Sequence, residues 1–212
     1  MSLPDNENEK DIRLKIISAV IEDPEIIFVV KERYVDESLW RFCIERDTSV
    51  FRKMKHPSEE ICMFACEVDG ANLRWIRNKF SYIKITDMMA YIAVKSNPTA
   101  ILYVPDKLLT NTLMEMAFDA DSSLMAYFDH IQLGYLTEKL KSDPSAIQYI
   151  KDPDEDLICD LIQRNPTVCV YIKELSKKML HVLKKNHPNY YQLYQNNLEG
   201  QKETKNDIGG EE

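Results

Sequence analysis

The chain has 212 residues, 44% of them apolar, with 27 basic against 35 acidic side chains and a formal net charge of −8. That balance excludes generic binding to a phosphate backbone, because cation density dominates such affinity, and leaves only a local patch for nucleic acid. No run of about 20 apolar residues is present, so no membrane-spanning helix is predicted, and five glycines and nine prolines are too few for a turn-rich β protein.

In chain order, residues 1–11 are charged and polar, lack the apolar core of a secretory signal, and are expected to form a flexible N-terminus. Together with five cysteines (Cys43, Cys62, Cys66, Cys159 and Cys169) this predicts a reducing, cytoplasmic setting. Ile16 and Val20 then fall four apart, on one face of a helix, and Asp23-Pro24 follows. That arrangement recurs. With Pro24, Thr48, Gly70, Pro98, Ser122, Pro144, Pro166 and Pro188 as anchors, the spacings are 24, 22, 28, 24, 22, 22 and 22 residues. The residue before the anchor is Asp23, Asp47, Asp69, Asn97, Asp121, Asp143, Asn165 and finally His187. Asp and Asn are strong N-caps, since a short side-chain oxygen accepts from an unpaired first-turn amide. Proline fits the next position, where a missing amide hydrogen costs nothing. Each anchor is therefore predicted to open a short B helix.

Upstream of the anchors lies the stripe of an A helix. Eight residues before them stand Ile16, Trp40, Cys62, Ala90, Met114, Leu136, Ile158 and Leu180; four before stand Val20, Ile44, Cys66, Val94, Phe118, Leu140, Ile162 and, as the exception, Lys184. Five before, Ala19, Cys43, Ala65, Ala93 and Ala117 are small enough for helices to approach closely. Downstream, the B helix ends on an aromatic–aliphatic pair such as Tyr103-Val104, Tyr149-Ile150 or Tyr171-Ile172, and this tyrosine column is expected to pack in the core or between repeats. Pro57-Ser58-Glu59 and Pro153-Asp154-Glu155 restart the A helix.

A unit of about 22 residues cannot bury its own stripe, but stacked units form a continuous core. The predicted fold is all-α: an α-solenoid of about eight tandem helical-hairpin repeats of 22–28 residues, forming a single domain over residues 12–196. In the last repeat, Lys184 and His187 replace the core residue and the cap, as a terminal capping repeat requires, and residues 197–212 read as a disordered polar tail.

Two phrases carry a family resemblance: Asn97-Pro98-Thr99-Ala100-Ile101-Leu102-Tyr103-Val104-Pro105 and Asp143-Pro144-Ser145-Ala146-Ile147-Gln148-Tyr149-Ile150. They resemble the short two-helix repeats, classed as a domain of unknown function, of bacterial, phage and giant-virus proteins. The resemblance extends over roughly residues 12–194 and is weakest in the second, third and last units. It implies an interaction scaffold of viral or mobile-element origin, with a host factor or an assembly as its target and the host cytoplasm as its setting. It carries no catalytic motif.

Among chemistry-bearing residues, Cys62 and Cys66 occupy core columns and no second pair completes a zinc site. Asp152, Asp154, Asp156 and Asp160 imitate a calcium loop but have Leu157 where its glycine belongs, so they read as acids at a helix N-terminus. His56, His130, His181 and His187 are scattered, without a triad motif or a phosphate-cradling glycine loop. The expectation is a non-enzymatic chain with no metal and no cofactor. The repeat breaks between Gly70 and Pro98, where the period stretches to 28. There Arg74, Trp75, Arg77, Lys79, Phe80, Tyr82 and Lys84 form the most basic and aromatic stretch of an acidic chain, and arginine and large aromatics are enriched at binding hot spots. These seven residues are the candidate partner-binding site. A protein is the expected partner; a nucleic acid held by the same patch and a self-assembling structural subunit are the alternatives. Lys173, Lys177, Lys178, Lys184 and Lys185 form a second, weaker cluster.

Overall fold

The structure, a computed structural model, describes residues 9–196, and its regular elements there are all helical. The polar tail, 197–212, and most of the 1–11 segment lie outside the described residues, and the first helix opens at Glu9. Chain contacts divide the protein at the Asp121 hinge into two compact units, Met1–Asp121 and Ser122–Glu212.

The first unit contains α1 (Glu9–Glu22), α2 (Glu37–Arg46), α3 (Ser49–Lys53), α4 (Glu59–Val68), α5 (Leu73–Asn78), α6 (Asp87–Ser96) and α7 (Asn111–Ala120). In it α2 packs on α4, α4 on α6 and α6 on α7. The second contains α8 (Leu133–Ser142), α9 (Glu155–Arg164) and α10 (Lys177–Asn186), with α8 against α9 and α9 against α10; residues 188–196 are helical as well.

After α1, which has 14 residues, the A helix keeps one length. Each of α2, α4 and α6 to α10 has ten residues. Six of these seven begin on a side-chain cap twelve residues before the anchor: Asp36, Ser58, Thr86, Thr110, Asp154 and Ser176 accept from first-turn amides. Gln132, the seventh, makes no cap bond. The unequal spacings therefore arise between the B segment and the next cap. At the Asp36 cap, hydrogen bonds from Ser38 and the Leu39 amide and the Arg13 guanidinium outweigh desolvation and hold the carboxyl at about 2.

At the other end a single Asx residue serves two helices. The amides of Asp47, Asp69 and Asn97 donate to the carbonyls of Cys43, Ala65 and Ala93, closing α2, α4 and α6 at 2.9, 3.0 and 2.8 Å. Their side chains accept from the amides of Ser49, Ala71 and Thr99, opening the next segment at 2.8, 2.9 and 3.1 Å. To do both, the residue is extended, with φ near −147°, −149° and −145°. The short B helices take two forms: α3 and α5 are α-helical, and five others are 3-10. Pro24–Val29, Pro98–Tyr103, Ser122–Tyr127, Pro144–Tyr149 and Pro166–Tyr171 are 3-10 helices of six residues.

The columns four and five residues before the anchor are buried in α2, α4, α6 and α7, from Cys43 and Ile44 to Ala117 and Phe118. The tyrosine column is different. Tyr127 and Tyr171 are 65% and 41% exposed, and in the first unit the residue after the aromatic position (Met54, Ile76, Val104) is the buried one. Helical residues turn about 100–120° each, so only one member of the terminal pair can face inward.

Gly70 is the anchor without a ring or side chain, and α6 explains it. A Cβ there would lie 1.9 Å from the Ala93 carbonyl oxygen and 2.9 Å from the Asn97 nitrogen. Gly70→Ala is expected to destabilise the protein by about 1–3 kcal/mol through this overlap. Gly134→Ala, in α8 with nothing within 4 Å of the new methyl, should be neutral or stabilising by up to about 1 kcal/mol. Urea denaturation of the two variants checks the contrast.

Candidate partner-binding surface

The stretched repeat is built from the 3-10 turn Gly70–Asn72, α5 and the loop 79–86 that leads to the α6 cap. Inside it, Leu73, Ile76 and Phe80 are fully buried. Asn72 occupies a column that is apolar in its neighbours; its Nδ2 donates to the Ala65 carbonyl at 2.9 Å, and its Oδ1 accepts no bond. The Trp75 carbonyl accepts from the Lys79 and Phe80 amides at 2.8 and 3.1 Å, ending α5 and swinging the loop back over α3.

The seven candidate residues do different work. Phe80 belongs to the core: it is 0% exposed and meets the Phe51 ring edge-on, centroids 5.2 Å apart. Lys79 is exposed as a residue, but its Nζ donates to the Arg52 and Met54 carbonyls at 2.6 and 2.9 Å, satisfying orphan acceptors at the end of α3. Tyr82 ties the loop down through its hydroxyl, which donates to the Pro57 carbonyl at 3.0 Å, and leaves 56% of its surface in solvent. Arg74, Arg77 and Lys84 are exposed, and Trp75 is half-buried.

Two further residues, invisible as a motif because they lie in other repeats, complete the surface. The Arg52 guanidinium stands over the Trp75 ring at 5.8 Å, and the Arg74 guanidinium over the Tyr103 ring at 5.9 Å. Both distances are within cation–π range. Arg52 and Arg74 each lie four residues after an anchor, and Trp75 and Tyr103 each lie five after the next one. The repeat thus stacks an arginine of one B segment on an aromatic of the following one. The signal in sequence was the coincidence of these two columns.

No protein-family model, curated protein or solved structure matches the chain.

Charge is segregated along this part of the chain. Residues 48–57 carry Arg52, Lys53 and Lys55, residues 70–85 carry Arg74, Arg77, Lys79 and Lys84, and neither stretch contains an acid. Glu59, Glu60, Glu67 and Asp69 lie between them, on α4 and its hinge. Lys53 is neutralised by an ion pair with Glu25 and Lys79 is engaged with carbonyls, so Arg52, Lys55, Arg74, Arg77 and Lys84 supply the outward positive charge.

The remaining clusters have structural work. All five cysteines are buried and free; burial pushes the Cys62 and Cys66 thiols up to about 12, away from the thiolate. Asp154 caps α9, Asp156 pairs with Lys178, and Asp160 pairs with Arg164. Among the described residues, no group of three or more His, Cys, Asp or Glu side chains is placed to hold a metal ion, and no helix is long and apolar enough to cross a membrane. In the second lysine cluster, the Lys184 ammonium lies 5.4 Å from the centre of the Tyr191 ring.

Magnitudes separate core from surface. Phe80→Ala opens a cavity against Phe51 and is expected to cost about 3–5 kcal/mol. Tyr82→Phe removes one half-solvated hydrogen bond and should cost about 1 kcal/mol or less. Denaturation midpoints of the two variants decide whether the loop is anchored by Phe80 or by the tyrosine hydroxyl.

Proposed function

We propose that the chain is a non-enzymatic α-solenoid of about eight helical-hairpin repeats, a scaffold that binds an acidic protein segment through the Arg52–Trp75–Arg74–Tyr103 surface with Arg77 and Lys84 beside it. The recurrent hinge, the fixed ten-residue A helix and the packing of successive A helices within each unit support the repeat reading. The observation that carries the binding reading is the arginine–aromatic stack between successive B segments. Stacking fixes each guanidinium plane while its edge N–H groups stay free to chelate a carboxylate in bidentate fashion. Held rigidly, such a surface loses little ordering entropy on binding.

A protein is favoured over a nucleic acid for two reasons. An arginine of the chain already stands over each of the Trp75 and Tyr103 rings, at 5.8 and 5.9 Å, and competes with a base for that face. Five outward cations on a chain of net charge −8 also give little counterion release. The resemblance to phage and giant-virus repeats adds a viral or mobile-element setting, in a host cytoplasm, to this reading.

Peptides selected from a display library against the whole protein test it. The selected peptides should be acidic, and Arg74→Glu/Arg77→Glu should weaken them by about tenfold or more, while circular dichroism stays helical. Selected peptides without acidic character, or binding unchanged in the variant, would contradict the proposal. Tight oligonucleotide binding that falls steeply with salt would replace it with the nucleic-acid reading.

A further inference from the structure

Within the second unit, Ser122–Tyr127, Pro144–Tyr149 and Pro166–Tyr171 follow one another at intervals of 22 residues, all in the same six-residue 3-10 form and each packed against the next. Each ends on a tyrosine. Tyr127 and Tyr171 are exposed and Tyr149 is half-buried, and among the described residues none of the three side chains has a hydrogen bond, a ring contact or a cation–π contact. Just beyond the first two segments the Lys151 Nζ donates to the Asp129 carboxylate at 2.7 Å. Both residues stand seven after their anchors, so neighbouring segments run in register. The aromatic column behaves otherwise in the first unit. There the residue four after one anchor is an arginine, Arg52 or Arg74, and its guanidinium stands over the aromatic five after the next. In the second unit that position holds Ala126 ahead of Tyr149 and Gln148 ahead of Tyr171. The aromatic half of the stack is kept without its cationic half.

We propose that Tyr149 and Tyr171, with Tyr127 beside them, dock a basic segment of a partner protein, whose arginines take the places that Arg52 and Arg74 fill in the first unit. The charge around the rings fits that ligand. Residues 152–156, directly after the Tyr149 segment, include the acids Asp152, Asp154, Glu155 and Asp156 and no base. Asp156 is paired with Lys178, but Asp152, Asp154 and Glu155 have no ion pair among the described residues. Of the nearby cations, Lys151 is neutralised by Asp129, and Lys173 is followed by Glu174. A guanidinium can lie on an aromatic face and still offer edge N–H groups to a carboxylate, which a lysine ammonium cannot do in the same plane. The exposed Val170 beside Tyr171 gives the methylene stem of an arginine an apolar contact. The same acids repel phosphate, so the open rings do not make a platform for nucleic acid. This surface takes the opposite charge to the one around Trp75.

Fluorescence anisotropy of labelled peptides on the full chain tests this. A peptide of arginine, glycine and serine should bind, and its lysine counterpart of equal charge should bind about fivefold or more weakly. Tyr149→Ala/Tyr171→Ala should weaken the arginine peptide by about tenfold, whereas Tyr149→Phe/Tyr171→Phe, which keeps both rings, should bind it as the wild type does. Circular dichroism checks the fold, and Tyr171→Ala alone, at an exposed position, decides the question if the double alanine variant unfolds. Arg74→Glu/Arg77→Glu, on the other surface, should leave the affinity unchanged. Equal binding of the arginine and lysine peptides, or an affinity that survives loss of the rings, overturns the proposal and reduces the contact to charge alone. Absence of peptide binding overturns it too, as does a single-stranded oligonucleotide that binds through the same tyrosines.

Discussion

Most repeats depend on one residue with two obligations, met at Asp23, Asp47, Asp69, Asn97 and Asn165. An Asx side chain between helix A and segment B must accept from an amide two residues ahead while its own amide closes the helix behind. Both bonds can be made only with the backbone extended, which fixes the angle at which the B segment leaves. Because the A helix from α2 on has one length, the anchor that follows the hinge returns twelve residues after each A-helix cap position. Neighbouring hinges also touch: the Asn97 amide group donates to the Asp69 carboxylate at 3.3 Å, and the Ser122 hydroxyl to Asp143 at 3.0 Å. Repeat identity is thereby set by polar contacts at the turns, and the apolar columns fill the space those turns define.

Surface chemistry follows from that regularity. When successive B segments leave at the same angle, the residue four after one anchor lies beside the residue five after the next. An arginine in the first column and an aromatic in the second then stack without any dedicated motif. An exposed cation–π contact contributes about 0.5–1 kcal/mol, little beside the burial of Phe80 or Phe51. Such contacts decide how guanidinium groups are presented more than how firmly the chain folds. Phe80 and Lys79 work in the opposite direction: the extra residues of the long repeat are folded back by one buried ring and one ammonium capping α3, which turns an insertion into a fixed platform.

The core was legible in sequence because its columns obey the helical period: Ile44, Cys66, Val94 and Phe118 stand where the spacing puts them, and all are buried. The hinge was legible because Asx-Pro has few other uses. Less was readable where the period fails. Phe80 lies in an insertion that belongs to no column, so nothing in sequence distinguishes it from Tyr82, though one is core and the other surface. The tyrosine column was read as packed because aromatics at a fixed repeat position usually are; in the first unit the helical turn instead brings inward the residue that follows, Met54, Ile76 or Val104. The caps Thr86, Thr110 and Ser176 carry no preceding proline to mark them. As for the surface, Arg74, Trp75 and Arg77 could be read from one continuous stretch, whereas Arg52 and Tyr103 join it only through the fold.

The hinge is tested most directly at Asn97, which caps its B segment through Thr99 and bonds back to the Asp69 hinge. Equilibrium denaturation of Asn97→Ala, beside the Asp69→Ala variant and the double variant, measures the cap and the coupling between hinges together. The account predicts a loss of about 1–2 kcal/mol for Asn97→Ala and a double variant less destabilised than the sum of the two singles. An Asn97→Ala protein as stable as the wild type, or strictly additive singles, would contradict it.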